Sequence, residues 1–421
     1  MLIKNFSYSI LYKILGMMIS LSLVPILINI LGVEQYGIWV TFTSLLVWIS
    51  LFDFGLGYAL KNTVTKSLAS KDMHYAQSEL YQILKITIMI SFLLLIVFLV
   101  FLFNIELLYS HFYLSIILFV PFIIFFPIKI GGPILQGARK IALQSGLLFI
   151  NTALFFFSIL VVNMLDIEMN LLYLAILFVS SYTLSMFLVW RYSIKILNVS
   201  YSNLKDIFNQ SIHFARIKVG LKFFGLQVSS LVLYSLGTII VFSYLDAIHA
   251  AHFDVLNKIF IFGLSIFNIG IAVFWPEITH HIEKKDFLKI KKLYLIMFLL
   301  TVIFSSASIL FSYIAPQIID IWTHGKIIIK DNEAIYFSFL VSAQAFAYSG
   351  AVVLNAFEKI NYQLVLSLFS TLIMFPLSIY LIEKGYEISA IPLAAGMLTL
   401  ITGIYCNAHA IKLIKENSIN A

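Results

Sequence analysis

The sequence predicts an all-α polytopic membrane protein with twelve transmembrane helices. Of the 421 residues, 61% are hydrophobic and 11% are charged, whereas soluble domains carry roughly 25% charged residues. Twelve spans of ~21 residues, each long enough to cross the hydrocarbon core, would use ~250 residues, which agrees with the apolar fraction. This composition excludes soluble enzymes and secreted disulfide scaffolds, and the single Cys406 permits no internal disulfide.

Apolar runs divide the chain into two sets of six predicted spans. The first run is too long for a signal peptide and lacks a small-residue cleavage site, so we expect a retained helix. The first set is Tyr8–Leu31, Ile38–Leu60, Gln82–Asn104, Tyr113–Leu135, Leu143–Met164 and Leu171–Trp190. The second set is Val219–Phe242, His252–Trp275, Leu293–Ala315, Ile335–Ala356, Gln363–Ile382 and Ser389–Ile411.

These spans define the predicted domains. Residues 1–190 form an N-terminal six-helix lobe and residues 219–411 a C-terminal six-helix lobe. The linker at 191–218 carries apolar residues at helical spacing over 202–215, which predicts an amphipathic helix on the cytoplasmic membrane surface. Residues 412–421 form a predicted cytoplasmic tail.

The positive charges determine the predicted orientation. With a cytoplasmic N-terminus, 19 of the 27 Lys and Arg residues fall in cytoplasmic segments and 3 in outer segments. The bias alternates from loop to loop, as the positive-inside rule requires. We therefore expect a multi-pass membrane protein with both termini in the cytoplasm. Because the basic residues are dispersed over separate loops that face lipid headgroups, nucleic-acid binding is not expected.

Three short sequence matches occupy corresponding cytoplasmic positions in the two sets of spans. They pair Lys13-Ile-Leu-Gly16 with Lys222-Phe-Phe-Gly225, Lys71-Asp72 with Lys285-Asp286, and Leu135–Gln144 with Leu354–Gln363. Their offsets of 209, 214 and 219 residues are nearly constant, which predicts an internal duplication. Because each half has an even number of spans, the halves would be parallel repeats, an arrangement typical of transporters with a cavity at the repeat interface.

Charged residues inside the predicted spans are the first candidates for a substrate cavity, because a charge at the bilayer centre costs ~2.5–3.5 kcal/mol. Asp53 lies ~10 Å inside span two at the helical rise of ~1.5 Å per residue, too deep for its short side chain to reach water. It either faces the cavity or is a structural acid paired with Lys13 or Lys61. Lys85 and Lys129 lie near helix ends, where we expect them to snorkel.

Two further pairs of charges complete the candidate set. Asp254 and Lys258 are four residues apart on one face of span eight. They form either a structural ion pair or part of a cavity in which the Lys258 ammonium binds an anionic group such as phosphate. Lys13 and Lys222, which the repeat relates, either form a cationic floor on the cytoplasmic side of the cavity or snorkel to the headgroups.

Signals of catalysis are absent from the sequence. It has no Gly-rich phosphate loop, no metalloprotease motif and no supported nucleophile–histidine–acid set. We therefore expect a transporter with no catalytic residues, no metal site and no cofactor.

Four stretches contain motifs of a known family: Leu31-Gly-Val-Glu-Gln-Tyr-Gly-Ile-Trp39, Asp53-Phe-Gly-Leu-Gly57 with Asn62, Leu135-Gln-Gly137 with Arg139, and Trp275-Pro-Glu-Ile278. They resemble the Wzx-type O-antigen flippases, which implies a protein of the bacterial inner membrane. This family belongs to the multidrug/oligosaccharidyl-lipid/polysaccharide exporter (MOP) superfamily, which includes the MATE transporters. The matching positions are Gly32, Glu34, Tyr36, Gly37, Gly55, Gly57, Gly137, Arg139 and Pro276.

The resemblance implies two six-helix lobes around a central cavity, as in a MATE-like parallel repeat. It also implies alternating-access transfer of undecaprenyl-diphosphate-linked O-antigen repeat units from the cytoplasmic to the periplasmic leaflet. Lys13, Lys222 and Lys258 would then attract the diphosphate, and Asp53 would bind or release a coupling H⁺ or Na⁺. A polysaccharide polymerase and a chain-length regulator would be partner proteins.

Three alternatives remain open. A MATE-type drug/cation antiporter shares the architecture. An O-antigen polymerase has similar size and hydropathy, but a large periplasmic loop is expected of it, and the longest predicted outer loop here has 19 residues, 316–334. A flippase for lipid-linked peptidoglycan precursors would have two additional spans.

Overall fold

The computed structural model describes residues 2–70, 72–165, 167–199, 217–330, 332–357, 359 and 361–419. These residues form α-helices joined by short turns, and none of them is in a β-strand. The helices of the first half are α1 (Leu2–Leu31), α2 (Val33–Ile49), α3 (Leu56–Ser70), α4 (Met73–Asn104), α5 (Glu106–Ser110), α6 (Phe112–Ile124), α7 (Gly131–Gly137), α8 (Ile141–Met164) and α9 (Leu171–Ile196). Those of the second half are α10 (Ile217–Ser235), α11 (Gly237–Tyr244), α12 (Ala247–Ala272), α13 (Phe274–Glu283), α14 (Phe287–Trp322), α15 (Glu333–Ala356), α16 (Asn361–Leu381) and α17 (Ala390–Ile419).

The expectation of an all-α polytopic membrane protein is confirmed. Within the described ranges, nine helical segments are long and apolar enough to cross a membrane, and two bent helix pairs raise the number to eleven. One of the nine, Gln363–Ser418, contains both α16 and α17. Between them the chain turns at Gly385, whose φ is 86°. If α16 and α17 are counted separately, the number of spans agrees with the predicted twelve.

Several helices extend beyond the predicted spans. Helix α9 continues to Ile196, α14 to Trp322, and α17 to Ile419 within the predicted tail. Hydropathy detects only the apolar part of a helix, whereas polar turns outside the hydrocarbon core can continue the same backbone hydrogen bonding. The predicted outer loop at 316–334 is consequently reduced to about ten residues between α14 and α15. The amphipathic helix predicted at 202–215 lies outside the described residues.

The chain forms two compact units. The first comprises Met1–Leu31 and Phe42–Phe224, and the second comprises Gly32–Thr41 and Gly225–Ala421. In the first unit, Leu60, Leu80, Ile134, Trp190 and Ile194 belong to one buried apolar cluster. In the second, the corresponding cluster includes Met297, Val353, Leu354, Cys406 and Ala410. Each unit therefore has its own packed core.

The predicted repeat recurs in matching local structure. Asp72 caps the N-terminus of α4 by accepting a hydrogen bond from the His74 N–H at 3.1 Å. Asp286, its predicted counterpart, caps α14 by accepting from the Lys289 N–H at 3.0 Å. A side-chain oxygen at this position satisfies a backbone donor that has no partner within the helix. The short match Lys-Asp therefore reflects the same helix start in each half.

The third sequence match also corresponds to one repeated turn. In the first unit, the Lys140 N–H donates to the Leu135 carbonyl oxygen at 2.9 Å. In the second, the Lys359 N–H donates to the Leu354 carbonyl oxygen, also at 2.9 Å. Both bonds join residues five apart and close the end of a helix. This equivalence supports a duplicated six-span unit.

Candidate functional site

In the first unit, the second predicted span is broken at Asp53. Helix α2 ends at Ile49, a 3₁₀ turn covers Ser50–Asp53, and α3 begins at Leu56. Phe54 and Gly55 have φ values of 46° and 74°, so the chain passes through the left-handed region that glycine adopts without strain. The half-buried Asp53 side chain accepts a hydrogen bond from the Gly55 N–H at 3.1 Å. The motif Asp53-Phe-Gly-Leu-Gly57 thus encodes a helix break.

Close packing of α3 against α7 explains two of the motif glycines. A Cβ atom on Gly57 would lie 2.8 Å from Pro133 Cγ, and one on Gly137 would lie 2.5 Å from the Lys61 carbonyl oxygen. The Thr65 hydroxyl donates to the Gly137 carbonyl oxygen at 3.0 Å. Small residues let two backbones approach this closely within a membrane.

Asp53 has a basic neighbour that sequence reasoning missed. The Lys129 ammonium interacts electrostatically with Asp53 and is half-buried in the 3₁₀ segment Phe126–Ile130. This segment belongs to a second broken span, in which Phe112–Ile124 and Phe126–Gly137 are inclined by 50°. Charged side chains at interrupted helices are typical of ion sites in transporters. We therefore take Asp53 and Lys129 as the candidate charged site of the first unit.

In the second unit, Asp254 and Lys258 belong to a three-residue polar cluster with Tyr36. Lys258 Nζ donates to Asp254 Oδ2 at 2.6 Å and to the Tyr36 hydroxyl at 2.9 Å. The Tyr36 hydroxyl donates to Asp254 Oδ2 at 2.6 Å, and the ammonium lies 5.4 Å from the centre of the Tyr36 ring. Tyr36 and Asp254 are buried. The cluster joins the first turn of α2 to α12.

The adjacent Gly37 allows this contact. A Cβ atom at this position would lie 1.7 Å from the carbonyl oxygen of Ala247, the first residue of α12. Such a distance is impossible for non-bonded atoms. Because the obstructing atom belongs to the backbone, a change of side-chain rotamer cannot relieve the clash. Gly32, with φ of 80°, makes the turn before α2. The motif Leu31–Trp39 is thus required for close packing against α12.

The N-terminus of α12 is further fixed by Asp246. Its carboxylate accepts from the His249 N–H at 2.7 Å and lies 2.8 Å from the His249 ring nitrogen. Burial raises the pKa of Asp246, but the hydrogen bonds from His249 outweigh this and hold the pKa below its usual value. The stabilisation is present above the unfolded-state pKa of about 3.9 and is lost as the pH falls through the folded-state pKa.

The other predicted site residues are dispersed. Lys13 is exposed on α1, and Lys222 lies on α10 with its side chain outside the described part of the structure. Glu34 is exposed in the first turn of α2, where an acidic residue complements the helix dipole. Arg139 is exposed with φ of 58° in the turn before α8. Pro276 is exposed in the first turn of α13, where proline is tolerated.

A cavity of about 340 Å³ lies within the second unit between α10, α12, α15, α16 and α17. We call it the neutral cavity, because its described lining contains no Asp, Glu, Lys, Arg or His. Three helices each present two polar residues four positions apart: Ser230 and Tyr234, Gln344 and Tyr348, Gln363 and Ser367. Pairs of polar residues four positions apart in apolar spans could have indicated this cavity from the sequence. Because these residues are uncharged, the charged residues inside the spans do not point to it.

Sequence comparison finds limited similarity. No protein-family model matches the chain. A putative O-antigen transporter of Salmonella typhimurium is 37% identical over 71 residues, and the match covers 16% of each protein. The chain is thus aligned with about a sixth of the length of this curated relative.

Structural similarity covers nearly the whole chain. An inward-facing structure of a multidrug resistance MATE transporter of the MOP superfamily has a TM-score of 0.71 at 14% identity, covering 96% of both chains. A MATE transporter of Vibrio cholerae has a TM-score of 0.64 at 16% identity, covering 99% of this chain and 97% of the other. An outward-facing MATE structure has a TM-score of 0.59 at 16% identity. The chain is thus a polytopic membrane protein with the fold of the MATE transporters of the MOP superfamily.

Proposed function

We propose that the protein is a flippase for lipid-linked oligosaccharides. It would move undecaprenyl-diphosphate-linked repeat units of O-antigen or a related polysaccharide across the inner membrane by alternating access. Its termini would lie in the cytoplasm, as the distribution of Lys and Arg predicts. A polysaccharide polymerase and a chain-length regulator would act on the delivered units.

The observation that carries this proposal is the similarity of a 71-residue segment to a putative O-antigen transporter, on a transporter fold. The neutral cavity supports the same substrate class, because hydroxyl and amide side chains suit sugars. The diphosphate would be attracted by Lys13 and Lys222. The ion pair of Lys258 with Asp254 at 2.6 Å supports the structural alternative for Lys258, in which it helps to pack α2 against α12 and does not bind the diphosphate.

A drug/cation antiporter is the second candidate, because the solved structures of similar fold include multidrug resistance MATE transporters. The two functions give opposite phenotypes in a bacterial strain from which the O-antigen flippase has been deleted. A flippase restores O-antigen on the cell surface when the matching repeat unit is made, and leaves drug sensitivity unchanged. Increased drug resistance without surface polysaccharide would instead establish the antiporter.

Asp53 tests the role of the broken span in transport. Asp53→Asn keeps an acceptor for the Gly55 N–H but removes the charge beside Lys129. We expect the amount of folded protein in the membrane to stay within about twofold of the parent. We expect the transport rate to fall at least tenfold, because a charge inside the membrane that is not needed for folding indicates a functional role. Immunoblotting of membranes and surface polysaccharide measure the two quantities.

Asp72→Asn is the matched control for Asp53→Asn. Asp72 also accepts a backbone hydrogen bond, and Asn caps helices about as well as Asp, so both quantities should remain at the parent level. Parent-level transport by Asp53→Asn would mean that Asp53 serves only to shape the turn.

A further inference from the structure

The neutral cavity has the size of a ligand site. Its volume is about 340 Å³, whereas small-molecule sites typically measure about 300–1,000 Å³. Since a water molecule takes up about 30 Å³ in the liquid, the cavity has room for about ten waters or for a sugar ring in their place. An apolar core of a membrane protein would fill such a space with side chains.

Three amide side chains around the cavity have unmet hydrogen-bonding capacity. Asn268 Oδ1, Gln344 Nε2 and Gln363 Oε1 are buried and have no hydrogen-bond partner among the described residues. A buried polar atom without a hydrogen-bond partner destabilises the folded protein. The terminal torsions of Asn and Gln have broad minima, so small rotations would turn these atoms towards a ligand in the cavity.

The chemistry of these atoms selects the class of ligand. Two are acceptors and one is a donor, whereas a cation needs only acceptors and an anion needs only donors. A hydroxyl group is both donor and acceptor. The absence of charged side chains from the described lining also disfavours a charged ligand, because a buried charge without a partner is costly.

Two tyrosines add the surfaces that a sugar ring requires. Tyr234 and Tyr348 line the cavity, and the Tyr234 hydroxyl is hydrogen-bonded to Thr399 Oγ1 at 3.0 Å, which fixes its ring. An aromatic ring presents a flat apolar face beside a polar edge. This combination matches a pyranose, which has C–H groups on its faces and hydroxyl groups around its rim.

The cavity extends from the middle of α15 towards the end of the second unit where α15 stops and α16 starts. Gln344 is twelve residues from the end of α15 at Ala356, about 18 Å at the helical rise. Gln363 is the third residue of α16. Both helix ends lie on the side that the Lys and Arg distribution assigns to the cytoplasm, which is where a repeat unit would be loaded.

We infer that the neutral cavity binds an uncharged sugar residue of the lipid-linked oligosaccharide. This inference rests on the proposed function and assigns the sugar to a site separate from the lysines that would attract the diphosphate. Recognition would depend on Gln344 and Gln363 for hydrogen bonds and on Tyr348 for ring contact.

The test is saturation-transfer NMR on the full chain in lipid nanodiscs, which avoids glycoside detergents. The probes are the methyl glycosides of glucose, galactose and N-acetylglucosamine, with glucuronate as a charged comparison. We expect saturation transfer from the protein to at least one neutral glycoside and none to glucuronate. Gln344→Leu should weaken binding of the neutral glycoside at least tenfold. Gln317→Leu, at an exposed position on α14, should leave this binding unchanged.

Thermal unfolding separates binding from folding. Because Gln344 Nε2 has no hydrogen-bond partner in the described part of the chain, Gln344→Leu should leave the unfolding temperature unchanged or raise it. Three results would overturn the inference: no transfer to any neutral glycoside, equal transfer in parent and Gln344→Leu, or stabilisation by Na⁺ that Gln344→Leu removes. The last result would identify a cation site.

A transport assay distinguishes failure of this inference from failure of the proposed function. If the parent transfers lipid-linked oligosaccharide and Gln344→Leu does so at the same rate, the sugar assignment is wrong while the flippase proposal stands. A parent that transfers no lipid-linked oligosaccharide overturns the function, and with it the assignment of the cavity to that substrate. Transport reduced at least tenfold in Gln344→Leu, with Gln317→Leu at the parent rate, supports both.

Discussion

Gly37→Ala is expected to prevent the protein from folding normally. The new Cβ atom would lie 1.7 Å from the Ala247 carbonyl oxygen, so the start of α2 would have to move away from α12. This movement would also separate Tyr36 from Asp254 and Lys258. We expect a loss on the order of 3 kcal/mol or more, seen as a fall in unfolding temperature of about 3 °C or more or as failure to accumulate in the membrane.

Gly270→Ala is the matched control, because it lies on α12 itself and a Cβ atom there meets nothing within 4 Å. Alanine favours a helix more than glycine does, by about 1 kcal/mol, so this variant should be at least as stable as the parent. If Gly37→Ala is as stable as the parent, the close packing of the start of α2 against α12 is wrong.

Lys258→Met should have the second-largest effect. It leaves the buried Asp254 carboxylate without its ammonium partner at 2.6 Å. Removing one member of such a pair typically costs about 3–5 kcal/mol, and we expect the lower end because Lys258 remains 31% exposed. Unfolding of the purified protein in detergent, followed by loss of helical circular dichroism, measures the change.

The double variant Asp254→Asn/Lys258→Met distinguishes packing from substrate binding. It removes both charges and keeps an acceptor for the Tyr36 hydroxyl, so we expect most of the lost stability to return, together with transport near the parent level. A double variant that is stable but inactive would show that Lys258 is needed for transport. Lys412→Met is the control, because its pair with Glu416 is exposed at 3.7 Å and such pairs contribute less than about 1 kcal/mol.

The features that could be predicted from sequence are those encoded by local pattern. The length of apolar runs predicted a helical membrane protein. The repeated Lys-Asp and Leu–Gln stretches predicted a duplication, and in the structure Asp72 and Asp286 both cap a helix while the Leu–Gln turns share the same backbone hydrogen bond. The i,i+4 spacing of Asp254 and Lys258 indicated that they can pair, and they do. Gly55 and Gly57 follow Asp53 in the sequence; Gly55 takes a positive φ at the helix break, and Gly57 packs closely against Pro133.

The features that could not be predicted depend on residues far apart in the chain. The Tyr36 hydroxyl is hydrogen-bonded to Asp254, 218 positions away. Asp53 interacts electrostatically with Lys129, which lies where another span bends. Lys129 was expected to snorkel because it lies near the end of its predicted span. Hydropathy gives the depth of a residue in the membrane but does not show which neighbouring helix its side chain faces. The neutral cavity is lined by residues of five helices, and these residues come together only when the helices pack.

Transport of a purified substrate by the purified protein tests the flippase proposal most directly. The chain would be reconstituted in liposomes with an undecaprenyl-diphosphate-linked oligosaccharide, and a glycan-modifying enzyme that cannot cross membranes would report the leaflet in which the sugar lies. We predict that the protein makes the inner-leaflet pool accessible to the enzyme, whereas liposomes without protein keep it protected. Full protection in the presence of folded protein, together with H⁺- or Na⁺-driven export of ethidium, would contradict the flippase and establish a drug antiporter.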